Sequence, residues 1–429
     1  MSTMTPDVAV PAAPTPGLEI TRSRSFKAPI ALGAFTVLAI LLFLVAGRHG
    51  HSTFRLSTST DFFTLPNAVV PTYGTGVVVT VVLALIALFS AFRSTRYQKT
   101  PIWLIALFGV LFLVGFLAWA GAGNSILVPG LLIGSLSLST PLIFGALGGV
   151  ISERVGVVNV AIEGQLLGGA FVSAVVASIT GSLWIGLVSA MVAGALVSMV
   201  LAVFSIRYLV DQVIVGVVLN VLVTGLTSFL YSEVLTSQPD LNKGLLFPPF
   251  DIPVLSRIPL VGPLLFQQNV VVYLMYIAIA AVFFGLFKTR WGLRLRAVGE
   301  HPQAADTVGI KVNATRFWNV SLAGAIAGLG GAFFTLGDLG EFQKTMTAGA
   351  GYIALAAVIF GRWDPIRATL AALLFGFASN LQNVLSVVGS PVPSEFMLML
   401  PYVVTVLAVA GLVGQSRGPA ASGKPYIKS

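Results

Sequence analysis

The chain contains no cysteine, which excludes disulfides, thiolate metal sites and thiol catalysis. Charge is almost as scarce: Asp, Glu, Lys and Arg make up 9% of the 429 residues. A soluble domain carries roughly 25%, so a core wrapped in a polar surface is excluded. Histidine is limited to His49, His51 and His301, with no helix-spaced pair to hold a metal. HExxH, paired carboxylates at workable spacing and a Ser/His/acid constellation are all missing. So are aspartate-rich motifs that would bind a diphosphate through magnesium. A membrane-embedded transferase therefore has little to stand on.

What is present is apolar. Hydrophobic residues make up 56% of the sequence, and the chain reads as an all-α, polytopic integral membrane protein whose bulk dissolves in the lipid bilayer. The net charge of +9 does not point to nucleic acid, because the basic residues cluster beside apolar runs with no aromatic-interleaved basic surface. Residues 1–20, MSTMTPDVAVPAAPTPGLEI, lack a helical period and read as disordered. The run through Ala46 is too long for a signal peptide and has no obvious cleavage site, so it reads as a first span.

Runs long enough to cross a bilayer lie at 28–46, 74–92, 102–120, 130–150, 163–180, 183–204, 213–232, 269–287, 317–336, 346–361, 367–387 and 397–414. That makes about twelve spans. Counting alternately along them puts RSRSFK (22–27), RSTRYQK (93–99), Arg207, KTRWGLRLR (288–296), Arg362 and the C-terminal Arg417, Lys424 and Lys428 on one side. Basic residues favour the cytoplasmic face, so both termini are expected there. Arg48 and Arg55 are the main exceptions. Two long connections stand out: a proline-rich one at 233–268, expected to be irregular, and a charged one at 288–316, whose centre HPQAADTVGI can start a short helix near Pro302. By composition alone, the second could be a solvated connector.

Segment 350–361 is too short to cross by itself. EGQLLGGAFVSAV followed by WIGLVSAMVAG weakly resembles GAGYIALAAVIFG followed by WDPIRATLAALLFG, and in the alternating count the two pairs run oppositely. This predicts an inverted repeat, an arrangement that can set a transport pathway between its halves. Glycine pairs such as Gly145/Gly149, Gly164/Gly168, Gly324/Gly328 and Gly337/Gly340 are expected to be packing faces.

An ionisable side chain near the bilayer centre costs about 2.5–3.5 kcal/mol on insertion scales, so polar residues between apolar runs are informative. In SERVGVVNVAIEG (152–164), Glu153 and Arg154 are expected at the hydrated inner surface. Asn159 and Glu163, four apart, would share a face if helical. Helix-start electrostatics, a hydrated path or an anchored helix break all remain open for that pair. Downstream, Asp211 suits an N-cap, with Gln212 beside it. Asn220, in DQVIVGVVLN, needs hydrogen-bond partners in lipid, as interhelical glue or as a substrate contact.

Four stretches carry a resemblance: SERVGVVNVAIEGQLLGGAF (152–171), DQVIVGVVLN (211–220), GLRLRAVGEHPQAADTVGIKV (292–312) and AAVIFGRWDP (356–365). Through them, the region 130–414 resembles membrane permease subunits of bacterial ABC importers related to ribose, branched-chain amino acid and nucleoside systems, closest to the nucleoside and simple-sugar branch. The resemblance implies a multi-pass protein of the bacterial cell membrane that pairs with a second permease subunit, homologous or identical. It also implies ABC ATPase subunits at the cytoplasmic face and an extracytoplasmic substrate-binding lipoprotein. No cofactor is expected on this chain, the ATPase subunits using ATP-Mg. The loop at 288–316 becomes a coupling segment that docks into the ATPase through Arg294, Arg296, Gly299, Glu300, Ala304, Ala305 and Gly309. Asn159, Glu163, Gln165, Gln212 and Asn220 become pathway residues, for nucleosides or simple sugars. The domains expected are a disordered cytoplasmic tail (1–27), extra N-terminal membrane helices (28–125), a permease core (126–414) and a second cytoplasmic tail (415–429). An ion-coupled secondary transporter is the main alternative, though it would have no need of a docking loop and would commit ionisable residues to mid-membrane positions.

Overall fold

The computed structural model describes residues 26–58, 61–389, 393, 395–396, 399 and 418–428. Most of the expected N-terminal tail, and the last predicted span at 397–414 apart from Met399, fall outside these residues. Among them, ten helices are long and apolar enough to cross a membrane. They are α1 (Lys27–Val45), α2 (Thr72–Thr95), α3 (Ile102–Ala120), α4 (Val128–Arg154), α5 (Ile162–Thr180), α6 (Leu183–Arg207), α7 (Gln212–Leu235), α8 (Val270–Lys288), α11 (Val312–Leu339) and α13 (Pro365–Val388). Three shorter helices complete the set: α9 (Arg290–Glu300), α10 (Pro302–Thr307) and α12 (Ala350–Phe360). The predicted span 346–361 is thus a half-length helix of 11 residues, about 16 Å at the α-helical rise.

The chain divides into two compact units. The first holds the described residues up to His49 together with Pro71–Trp119. Here Phe43 is buried against Gly76 and Gly115, where absent side chains leave room for its ring, and the Trp119 indole donates to the Ala46 carbonyl at 2.9 Å.

The second unit, Gly50–Val70 and Ala120 onward, is built around α4 and α11. These run antiparallel, since Gly148 meets Ala323 and Gly330 meets Pro141. α6 runs antiparallel to α11, with Gly194 on Gly324 and Gly328 on Ala190, and Gly376 of α13 meets Ser139 of α4. Exchanging α4, α5 and α6 for α11, α12 and α13 reproduces the same set of neighbours: α4 packs on α13 as α11 packs on α6, and α4 on α12 as α11 on α5. The inverted repeat expected from sequence is therefore present in the packing. Its glycines act by absence: a Cβ on Gly324 or Gly328 would overlap backbone atoms of α6, and close backbone approach supplies the dispersion contacts that hold helices together in lipid. Gly340 differs from the packing role expected of it. It holds φ at +85° and terminates α11.

The α-only expectation holds for the spans. Among the described residues, five short strands occur in the connections, with β1 (His51–Arg55) between β2 (Ala68–Pro71) and β3 (Ser125–Leu127), and β4 (Phe250–Asp251) antiparallel to β5 (Gln267–Gln268). The proline-rich connection is otherwise irregular, with short turns at Pro239–Leu241 and Leu255–Arg257.

Candidate functional site: two broken spans joined by Glu163

α4 ends at Arg154, and α5 does not begin until Ile162. The intervening backbone turns at Gly156, whose φ of +96° is costly for any side-chain-bearing residue. Its polar groups lie within a packed interior and must find partners there. The Val158 amide donates to Gln212 Oε1 at 2.7 Å. Asn220 accepts from the Gly164 amide and donates to the Val160 carbonyl, both at 2.8 Å. Ser152 Oγ donates to the Val157 carbonyl at 2.8 Å. Asn159 and Gln165, both 0% exposed, pair their amides reciprocally at 3.1 and 2.9 Å, and Gln165 also donates to Ser198 Oγ at 2.8 Å.

One expectation needs correction. Asn159 lies in the break and not on α5, so it does not share a helix face with Glu163. Of the three roles left open, the geometry is that of an anchored break. Asp211 is an N-cap as expected, accepting from Val213 and Ile214.

The second break mirrors the first. α11 ends at Leu339, and residues 340–349 lead irregularly to α12. Glu163 faces the start of that helix. Its carboxylate accepts from Thr347 Oγ1 at 2.6 Å, the Gly349 amide at 2.9 Å and the Gly351 amide at 2.6 Å. A negative group at a helix N-terminus satisfies otherwise orphaned N–H donors and complements the helix dipole. Gly351 lies so close to the backbone of Glu163 that a Cβ there would overlap it. The starts of α5 and α12, 188 residues apart in sequence, are thereby locked end to end. Close to this junction, Asn220 Nδ2 donates to the Tyr352 hydroxyl at 3.2 Å.

Glu163, Asn159, Gln165, Gln212 and Asn220 thus converge on one region, all at least nine-tenths buried. Thr347, Tyr352 and Ser198 belong to the same network and were missed by sequence reasoning. The glycines flanking Tyr352 in TAGAGY were the available signal for a break there; Ser198 gave none.

The far end of the core gathers the charged connection. Glu153 and Arg154 were expected at a hydrated surface, but Glu153 is 4% exposed and Arg154 half-buried. Both turn to the corner between α12 and α13. The Trp363 indole donates to Glu153, and Arg154 Nε donates to the Trp363 carbonyl at 2.9 Å. Arg154 also lies over the Phe287 ring at 5.8 Å, as Arg296 does at 5.2 Å. The reason is packing: Trp363 fills the corner and brings a buried N–H donor, which Glu153 satisfies.

The proposed coupling residues divide by burial. Arg294, Glu300, Ala304 and Gly309 are exposed and Arg296 is half-buried, whereas Gly299 and Ala305 are buried. Gly299 packs on the backbone of Arg154, leaving no room for a side chain. The C-terminal residues 418–428 lie across this end. The Ala421 amide donates to the Gly299 carbonyl at 2.9 Å, the Ala420 amide to Glu300 at 3.2 Å, and Arg316 Nη1 to the Lys424 carbonyl at 2.9 Å. Lys428 meets Asp306 at 3.8 Å. A cleft of about 600 Å³ opens here between α6, α11 and Tyr426–Lys428, away from Glu163.

Residues 131–409 match the family described as branched-chain amino acid transport system / permease component. The chain belongs to this permease family. It is 42% identical to the guanosine ABC transporter permease protein NupQ of Bacillus subtilis, over 71% of this chain and 97% of that one. It is also 42% identical to the nucleoside ABC transporter permease protein NupC of Lactococcus lactis, over 68% and 95%. The putative glucose ABC transporter permease protein TsgC13 of Haloferax volcanii is 37% identical, over 59% and 77%. No solved structure gives a significant match. Family membership and the apolar helices make this a multi-pass membrane protein and an ABC transporter permease, which works with ATPase and substrate-binding partners.

Proposed function

We propose that this chain forms the translocation pathway of an ATP-driven importer for nucleosides. The observation that carries the reading is the 42% identity, over nearly the full length of each relative, to permeases named for guanosine and for nucleosides. The weaker likeness to a putative glucose permease makes simple sugars the second reading. In this proposal the α9–α10 end is cytoplasmic, as the clustering of basic residues there favours, and both termini lie on that side. Arg294, Arg296, Glu300, Ala304 and Gly309 meet an ATPase subunit that hydrolyses ATP-Mg, while Gly299 and Ala305 seat the coupling segment on the core. A second permease subunit and an extracytoplasmic binding lipoprotein complete the complex in the bacterial plasma membrane.

The five polar residues serve the pathway in two ways. Asn159, Gln165 and Gln212 hold the first break in shape, and Glu163 and Asn220 tie it to the second. Irregular backbone at membrane depth is tolerated only inside protein or beside water, which suits a gate where α5 and α12 begin. The test is reconstitution of the permease with its ATPase and binding protein in vesicles. ATP-dependent uptake of labelled guanosine is expected, and deletion of 299–310 should abolish ATPase association. ATP-dependent uptake of glucose without guanosine would select the sugar reading. Uptake that ignores ATP and follows an ion gradient would overturn the importer altogether.

A further inference from the structure

The second break carries more information than the first because it is open. Tyr352 lies eight residues from the end of α12 at Phe360, about 12 Å along the helix axis. If that end sits at the membrane face, as its contact with Arg154 and the charged connection implies, Tyr352 lies near the middle of a hydrocarbon layer ~30 Å thick. Irregular backbone and polar side chains at such depth do not face lipid. Yet Lys344, Thr345 and Ala348 are exposed, and so is Tyr352, at 48%. The other ten residues of α12 are buried or half-buried. Thr345 and Ala348 also hold φ at +52° and +45°, a left-handed backbone that is costly for residues carrying a side chain.

This open segment runs along α7. At one end, Phe342 and Tyr231 bring their ring centroids within 6.0 Å, and Lys344 lies 5.6 Å over the Tyr231 ring. At the other, Asn220 holds the Tyr352 hydroxyl. Asn220 and Tyr231 are separated by about 16 Å of helix, and Thr224 and Ser228 fall on the same face between them. Both are half-buried. The result is a strip along α7 where Phe342 and Met346 pack against Val223 and Tyr231, the half-buried Thr224 and Ser228 lie beside the exposed Lys344, Thr345 and Ala348, and the Tyr352 ring lies at the deep end.

We propose that this strip is the outer half of the substrate route, and that Tyr352 is the surface on which a nucleoside base stacks as it reaches the Glu163 junction. The inference rests on the nucleoside reading above. Its chemistry is direct: any nucleobase offers a π-face, and stacking on an aromatic side chain tolerates different bases. Asn220 pins the hydroxyl, so the ring is already oriented, and the hydroxyls of Thr224 and Ser228 suit a ribose. On the other side of α7, Val218 and Leu222 are exposed and apolar, as a lipid-facing or subunit-facing surface should be.

The absence of native cysteine makes the test clean. Single variants Thr224→Cys, Thr345→Cys and, as a control, Leu222→Cys are assembled with the ATPase and binding protein and treated from outside with a membrane-impermeant thiol reagent. The first two should label at least tenfold faster than the control, and guanosine under turnover should slow them. Tyr352→Ala should lower guanosine uptake about tenfold or more, while Tyr352→Phe, which keeps the ring, should retain it. ATPase association and thermal unfolding of each variant verify assembly. If wild-type complex fails to carry guanosine, the nucleoside reading falls. If wild type carries guanosine but Tyr352→Ala carries it equally well, or if the two cysteines on the strip label no faster than Leu222→Cys, the stacking route falls and the reading survives. Loss of uptake in Tyr352→Phe as well as Tyr352→Ala, with assembly intact, would move the essential contact from the ring to the hydroxyl and overturn the stacking role.

Discussion

The two breaks occupy equivalent places in the inverted repeat, yet they are built differently. The first, 155–161, is short, mostly buried and stapled along its length by side chains from α4, α5 and α7. The second, 340–349, is longer, exposes charged and polar residues, and is tied to the first through Glu163. Symmetry of helices therefore does not carry symmetry of the connections between them. One half supplies a fixed frame held by side-chain staples. The other exposes an irregular run of charged and polar residues. The joint between them is a carboxylate against a helix N-terminus.

The largest effect is expected at that joint. Glu163→Ala leaves the Thr347 hydroxyl and the Gly349 and Gly351 amides without their acceptor, and each buried orphan costs about 1–3 kcal/mol. ATP-driven uptake should fall at least tenfold and the thermal midpoint by several degrees. Glu163→Gln retains one acceptor oxygen and should lie between. A variant Glu163→Ala that unfolds and transports like wild type would mean that the two breaks are not coupled through this residue.

Next come the staples of the first break. Gln165→Leu alone strands the buried Asn159 amide, and Asn159→Leu alone leaves Gln165 Oε1 without its donor, each at a cost of about 1–3 kcal/mol. The double variant should be less destabilised than the sum of the two, because no unpaired amide is left; thermal unfolding of all three measures the difference. A strictly additive result would remove the reciprocal pair from the argument. Gln212→Ala, which leaves the Val158 amide without its acceptor, should cost about 1 kcal/mol, read as a smaller shift in the same assay. The smallest effect is expected in the second break itself, where Thr345→Ser at an exposed site should change stability by no more than about 0.5 kcal/mol. A shift as large as that of Gln165→Leu would contradict the contrast between the two breaks.

Much of this architecture is legible in the residues alone. Charge scarcity and apolar runs locate ten crossing helices within a few residues, because lipid imposes a single rule on all of them. The weak likeness of EGQLLGGAFVSAV to GAGYIALAAVIFG points to the correct repeat. The charged stretch at 152–164 stands out for a sound reason: polar groups at membrane depth must be answered. What answers them is not legible. Glu153 reads as hydrated, since nothing in the sequence says that Trp363 turns toward it from 210 positions away. For Asn159 the four-residue spacing to Glu163 leaves a shared helix face and a helix break both open, because spacing alone does not say whether the chain is helical between them.

By itself the sequence determined that this protein crosses a membrane many times and that a few polar groups between apolar runs need partners. Those properties follow from composition and period, which act locally. Only the tertiary structure decided which partners they have. Glu163 meets the start of α12 because α4 and α11 pack antiparallel through small residues and bring the starts of α5 and α12 together. That juxtaposition depends on backbones approaching within reach of one another, and no local pattern records it.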